Sequence, residues 1–149
     1  MSKIRKLPRF EQAMSAVLIG TKEAVIAPMR PIIRKYNITE PQWRVMRVIN
    51  DRGATDASVL AGVGLLHAPS VTRILKELET RNFIVRKKDL EDRRRTLVAL
   101  TPKGRSIVKV ISRDVLRILG EYTKRFGPER LDRLLDELRA LSAAIKGVE

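Results

Sequence analysis

Ala68-Pro-Ser-Val-Thr-Arg-Ile-Leu-Lys-Glu-Leu-Glu-Thr-Arg81 is the stretch on which the reading of this chain turns. Val71, Ile74, Leu75 and Leu78 recur at helical spacing, and Ser70, Thr72, Arg73 and Lys76 fall on the opposite face. A strand follows over 83–88, then a charged turn, Asp89-Leu-Glu-Asp-Arg-Arg-Arg95, and a returning strand over 96–100. Phe83, Val85, Leu97 and Ala99 read as its inward positions, alternating with Arg86, Lys88 and Thr96. A helix, then a hairpin with arginines at its tip, is the pattern of a winged helix-turn-helix domain.

Upstream, Thr39 reads as the N-cap of a helix over 40–52 that presents Trp43, Met46 and Ile49 and ends at Gly53. A short helix over about 56–61, with Thr55 as its expected cap, leads into the turn Gly62-Val-Gly-Leu-Leu66. Residues 10–36 carry a helical stripe of Phe10, Met14, Val17, Thr21, Val25, Met29, Ile32 and Tyr36, with a kink or break expected at Pro28 and Pro31. Downstream, Thr101-Pro102 starts a helix over 102–126, with Ile107, Ile111, Val115, Ile118 and Tyr122 on one face. Gly127-Pro128 breaks it, and a last helix over 128–145 carries Leu131, Leu134, Leu135, Leu138 and Leu141.

The expected fold is therefore mainly α with a small β-hairpin. It comprises an N-terminal dimerisation helix (1–36), a winged helix-turn-helix domain (37–101) and C-terminal dimerisation helices (102–149). A winged core of about 60 residues does not need the two terminal regions, whose apolar stripes must be buried somewhere. A homodimer built from both termini is the simplest solution. It also lets two reading helices enter successive major grooves of palindromic double-stranded DNA.

Composition narrows the partners. The chain has 149 residues and a net charge of +14, which points to a polyanion. Aromatic content of 4% is too sparse for base stacking as the main mode of binding. With no cysteine, a single histidine and no glycine-rich phosphate loop, no catalytic residues are expected, and no metal or cofactor. His67, just before the reading helix, is a cap or surface residue by position. The basic start, Met1 to Arg9, runs into no continuous apolar segment, so a cytoplasmic protein is expected.

In the reading helix, small residues at Ala68, Pro69 and Ser70 let its start sink into the major groove, with Thr72 beside them. Arg73 can reach a guanine edge in bidentate fashion. Lys76 and Arg81 are placed for phosphate. Thr55 and Ser58 can bond phosphate through hydroxyl or backbone N–H. Residues 81–95 hold seven basic side chains and three acidic ones, a local net of +4. Arg93, Arg94 and Arg95 at the hairpin tip suit the negative potential of a narrow minor groove. Asp92, two residues before Arg94, can pin that arginine's rotamer through a charge-assisted bond. The charge alone also permits a non-specific architectural DNA-binding protein, which would bind any duplex with a steep salt slope.

The segments Ser70-Val-Thr-Arg-Ile-Leu-Lys-Glu-Leu-Glu79, Asp92-Arg-Arg94 and Val98-Ala-Leu-Thr-Pro-Lys-Gly104 resemble the MarR family of dimeric transcription regulators. The resemblance spans about residues 10–145. It implies an intertwined dimer, a palindromic operator, and a ligand pocket between the dimer helices and the winged domain. It also makes Arg94 the minor-groove arginine and Asp92 its partner.

A narrower likeness, over Arg30 to Arg47, is to the branch that regulates homoprotocatechuate and hydroxyphenylacetate catabolism. In that branch an acid, a tryptophan and an arginine spaced as Glu40, Trp43 and Arg47 line the effector pocket. These positions share one helix face. Arg47 can clamp a carboxylate, Trp43 can pack on an aromatic ring, and Glu40 can accept from a phenol hydroxyl. Trp43 fits a core role equally well, and Tyr122 fits either a pocket hydroxyl or the core stripe. Ser15 is placed to reach the other subunit's pocket. The function these readings imply is a repressor of an aromatic catabolic operon, released by a small aromatic carboxylate.

Overall fold

The computed structural model describes residues 6–148; residues 1–5 of the basic start, and residue 149, lie outside it. The chain divides into two compact units, Met1–Ile111 and Ser112–Glu149. The first holds a 3-10 turn (Phe10–Gln12), α1 (Met14–Ile26), a second 3-10 turn (Ala27–Met29), α2 (Arg30–Arg34), α3 (Glu40–Arg52), α4 (Ala57–Val63), α5 (Ala68–Thr80), β1 (Ile84–Lys88) and β2 (Thr96–Leu100). Helix α6 (Pro102–Phe126) begins in this unit and ends in the second, which also contains α7 (Pro128–Ile145).

The break expected at Pro28 and Pro31 is the 3-10 turn between α1 and α2. Thr39 caps α3 in a full capping box. Its hydroxyl accepts from the Gln42 N–H at 3.2 Å, and the Gln42 side chain accepts from the Thr39 N–H at 3.0 Å. Gly53 stops the helix at φ +77°. More of α3 is buried than the stripe Trp43, Met46, Ile49 implies, since Val45 and Val48 are buried as well. These residues join Leu60, Val71, Ile74, Leu75, Leu78, Ile84, Val98 and Leu100 in the core of the first unit.

The hairpin is antiparallel, pairing Ile84 with Leu100, Arg86 with Val98 and Lys88 with Thr96. Its inward face corrects the sequence expectation. Ile84, Val98 and Leu100 are buried, while Val85 is exposed and Leu97 and Ala99 are half-buried. Phe83 is buried but precedes the strand, and Asn82 at φ +59° turns the chain there, so alternation counted from Phe83 selects the wrong face. Instead Phe83 anchors α6. Its carbonyl accepts the Thr101 N–H at 3.0 Å, and a Cβ on Gly104 would lie 2.1 Å from that oxygen. Only glycine fits the first turn of α6 this close to another backbone.

Thr55 forms a third, one-residue strand. Its N–H donates to the Val98 carbonyl at 3.0 Å, and its carbonyl accepts the Val98 N–H at 2.6 Å. The cap of α4 is accordingly Asp56 and not Thr55, with Asp56 Oδ1 accepting the Val59 N–H at 2.8 Å. In the second unit, Gly127 at φ +100° separates α6 from α7, and Pro128 occupies the first turn of α7.

Candidate nucleic-acid interface

Helix α5 buries Val71, Ile74, Leu75 and Leu78 and leaves Pro69, Thr72, Arg73 and Lys76 exposed, with Ser70 half-buried. His67 stands at the N-cap and makes no side-chain cap bond, so the first-turn N–H groups keep their affinity for an anion. The Thr72 hydroxyl donates to the Ala68 carbonyl at 3.3 Å. Arg73 and Lys76 have no ion-pair partner among the described residues. Ser58 is exposed on the first turn of α4.

The basic residues of the hairpin region separate into two sets. Arg93 and Arg94 are exposed, and their side chains have no ion-pair partner among the described residues. Arg95 is tied inward: Nε donates to Asp56 Oδ2 at 2.5 Å, and Nη1 lies 4.0 Å from Asp89 Oδ2. This pair fastens the wing to the start of α4. The Asp56 carboxyl is held below the usual aspartate range, first by the Val59 N–H, then by Arg95. Arg81 is also engaged within the fold. Its guanidinium donates to the carbonyls of Asn37, at 2.5 Å, and Tyr36, at 2.9 Å, and stacks on Phe83 at 4.6 Å. Arg81 therefore secures the turn before α3 and is not placed to meet phosphate.

Two further readings are corrected. Thr55 is 4% exposed, so its hydroxyl is shielded and its backbone is spent on Val98. Among the described residues, Asp92 bonds no guanidinium. Its Oδ1 accepts the Arg94 N–H at 3.1 Å and its carbonyl accepts the Arg95 N–H at 3.0 Å, which shapes the turn that presents the arginines.

Of the residues assigned to a ligand, Trp43 is buried on α3, Arg47 is exposed one turn on, and Glu40 is half-buried. Glu40 lies 3.7 Å from Arg30 and 3.8 Å from Arg44. Arg30 also binds Glu23 through both carboxylate oxygens, which lowers the Glu23 carboxyl below its usual range. A cavity of about 420 Å³ opens beside these groups, lined by Arg30, Ile33, Arg34, Asn37, Ile38, Thr39 and Glu40. Neither Trp43, Arg47 nor Ser15 lines it. Ser15 is exposed on α1, and Tyr122 is half-buried on α6 in the second unit. The sequence reading passed over Arg44, which reaches a distant turn; its one local signal was the Glu40–Arg44 spacing of four on α3.

Outside this region, α1 leaves Met14, Val17, Leu18 and Ile19 exposed, and in the second unit Leu116, Leu134 and Leu135 are exposed. Among the described residues, no single helix is long and apolar enough to cross a membrane, although the bent pair α4–α5 passes that test together.

A reading helix followed by a basic wing defines a winged-helix DNA-binding protein. Known proteins carry the assignment further. The MarR family profile matches residues 38–96. The chain is 34% identical over 125 residues to the HTH-type transcriptional regulator FarR of Neisseria gonorrhoeae, covering 84% of this chain and 86% of that protein. It is 27% identical over 132 residues to the homoprotocatechuate degradative operon repressor of Escherichia coli, covering 87% and 89%. The structure of NadR in complex with 4-hydroxyphenylacetate superposes with a TM-score of 0.82 at 30% identity, covering 97% of this chain and 99% of that one. The chain belongs to the MarR family of DNA-binding transcription regulators.

Proposed function

We propose that this chain is a homodimeric repressor of an aromatic-compound catabolic operon, released from a palindromic operator by a small aromatic carboxylate. The observation that carries the DNA half is the division of the basic side chains. Arg73, Lys76, Arg93 and Arg94 are exposed on α5 and the wing with no ion-pair partner among the described residues, while Arg81 and Arg95 are taken up by the fold. MarR proteins are dimers. A second copy gives the exposed apolar residues of α1, α6 and α7 a partner and sets two α5 helices one DNA turn apart. Ser70, Thr72 and Arg73 then read the major groove, Arg93 and Arg94 enter the minor groove, and Ser58 and Lys76 hold phosphate.

The effector half rests on likeness. One relative is named for homoprotocatechuate degradation, NadR was solved with 4-hydroxyphenylacetate bound, and Glu40, Trp43 and Arg47 share a face of α3. Arg47 takes the ligand carboxylate, Trp43 its ring and Glu40 a phenol hydroxyl, with Ser15 of the other copy completing the contacts. Ligand then favours a spacing of the α5 helices that no longer matches one DNA turn. Linkage makes the effect reciprocal: operator must weaken ligand binding by the factor by which ligand weakens operator binding.

Fluorescence anisotropy tests both halves. The titrants are duplex from upstream of the gene and a shuffled duplex, at fixed salt, with and without 4-hydroxyphenylacetate as the probe acid. Strong preference for the upstream duplex, weakened by the acid, supports the proposal. Equal binding to both duplexes favours a non-specific architectural protein, and preference that no aromatic acid alters removes the effector half.

A further inference from the structure

Among the described residues, three that are not glycine adopt a left-handed backbone: Asn37, Leu65 and Asn82. Asparagine tolerates this region and leucine does not. Leu65 is thus the anomaly, and it stands two residues before the N-cap of α5. Its conformation ends α4. The Leu66 N–H donates to the Ala61 carbonyl at 2.9 Å and the Leu65 N–H to Gly62 at 3.4 Å, the pairing of a helix terminus that ordinarily places glycine at the left-handed position. Here the glycine stands one residue earlier, at Gly64, where a Cβ would lie 2.5 Å from the Leu60 carbonyl. The Leu65 side chain is 81% exposed, so no core packing repays its backbone strain.

One side chain from another helix grips this turn. Arg44 Nη1 donates to the carbonyls of both Gly64 and Leu65, each at 3.2 Å. Its Nη2 lies 3.8 Å from Glu40, and its Nε is sealed from solvent without a partner. A solvated arginine would not accept a buried, unpaired Nε; this guanidinium is wedged in place by its two carbonyls and its carboxylate. A lysine carries no planar fork to span the same three groups.

We propose that Arg44 is a positioning residue for DNA reading. By bridging the Gly64 and Leu65 carbonyls it holds Leu65 left-handed and so fixes the direction in which α5 leaves the turn. The proposal rests on α5 being the DNA-reading helix. It extends the site to a residue of α3 that faces no nucleic acid.

The test uses the full-length protein and a duplex selected by it from a random pool. Arg44→Met should lower affinity for the selected duplex about tenfold, the scale of the penalty a side chain meets in the left-handed region, and leave affinity for a shuffled duplex unchanged. Arg44→Lys should behave alike. Hydrogen exchange of the amides from Leu65 to Val71 should quicken in both. The deciding variant is Leu65→Asn, which suits the left-handed region without the strut. Alone it should bind as the native protein does, and combined with Arg44→Met it should recover most of the lost affinity. Faster exchange with unchanged selected-duplex affinity, or failure of Leu65→Asn to rescue, overturns the positioning role. A native protein that enriches no sequence from the pool overturns the DNA-reading proposal itself, and this one with it.

Discussion

Helices α1 and α5 are each 13 residues long, and they meet opposite fates. Helix α5 is amphipathic and buries four apolar residues within its own unit. Helix α1 carries Met14, Val17, Leu18, Ile19, Val25 and Ile26, yet none of its residues is buried. The difference is one of partner. The apolar face of α5 finds its complement inside the chain, whereas the apolar residues of α1 stay uncovered among the described residues and, under the proposed dimer, are covered by a second copy. Substitutions should therefore read out in different quantities for the two helices. Leu78→Ala should destabilise the folded unit by about 2–5 kcal/mol, the range for truncating a buried leucine. Ile19→Ser should barely change that unit's intrinsic stability and should instead make the dimer dissociate on dilution, read by sedimentation. An Ile19→Ser protein that unfolds as readily as Leu78→Ala would erase the distinction.

The comparison sharpens at the arginines. Arg94 is free at the wing tip while Arg95, its neighbour, is tied to Asp56. Arg94→Ala should weaken operator binding by about 1–3 kcal/mol and leave the dimer and its melting temperature unchanged. Anisotropy checks the first outcome and thermal unfolding the second. Unaltered affinity would take the wing out of the DNA interface.

What the sequence revealed, and what it hid, divides along the same line of local against distant partners. The spans of α3, β2, α6 and α7 follow from periodicity, caps and breakers, all of which act within a few residues. The motif Leu100-Thr-Pro-Lys-Gly104 was legible as a pattern, but its cause, the Phe83 carbonyl against Gly104, is a long-range contact. The same limit explains the bridge that Thr55 makes to Val98 and the inward turn of Arg81 and Arg95, whereas the reversed face of the hairpin follows from the local turn at Asn82. Thr55, Arg81 and Arg95 each have an ordinary local meaning, and a partner between 39 and 45 positions away replaces it. The ligand candidates were legible as three positions on one helix face. Their differing burial was not, because it depends on what packs around α3.

Arg47 allows the comparison to reach regulation. It is exposed on α3 while Arg44, one turn earlier, is bound into the fold. Arg47→Ala should retain operator binding and lose the response to an aromatic acid. The quantity removed is a coupling of about 1–3 kcal/mol between the two ligands. A variant that still responds normally would show that the carboxylate is held elsewhere.

The smallest expected effect separates Arg95 from its free neighbours. Asp56 has its folded-state carboxyl lowered, by the Val59 N–H and then by Arg95, so deprotonated Asp56 stabilises the native state. That contribution is complete above the ordinary aspartate range and is lost as pH falls through the depressed value. Asn caps a helix about as well as Asp, so Asp56→Asn keeps the α4 cap and removes the ion pair. The pair is partly exposed, with Arg95 46% accessible, and an effect of no more than about 1 kcal/mol at neutral pH follows. The variant and the native protein should converge in stability as the solution is acidified below that range. Because the pair joins the wing to α4, operator affinity should also fall modestly in Asp56→Asn, and high salt should shrink the difference. Equal stability at neutral pH together with a large loss of DNA affinity would instead place Arg95 among the residues that touch DNA, returning it to the company of Arg93 and Arg94.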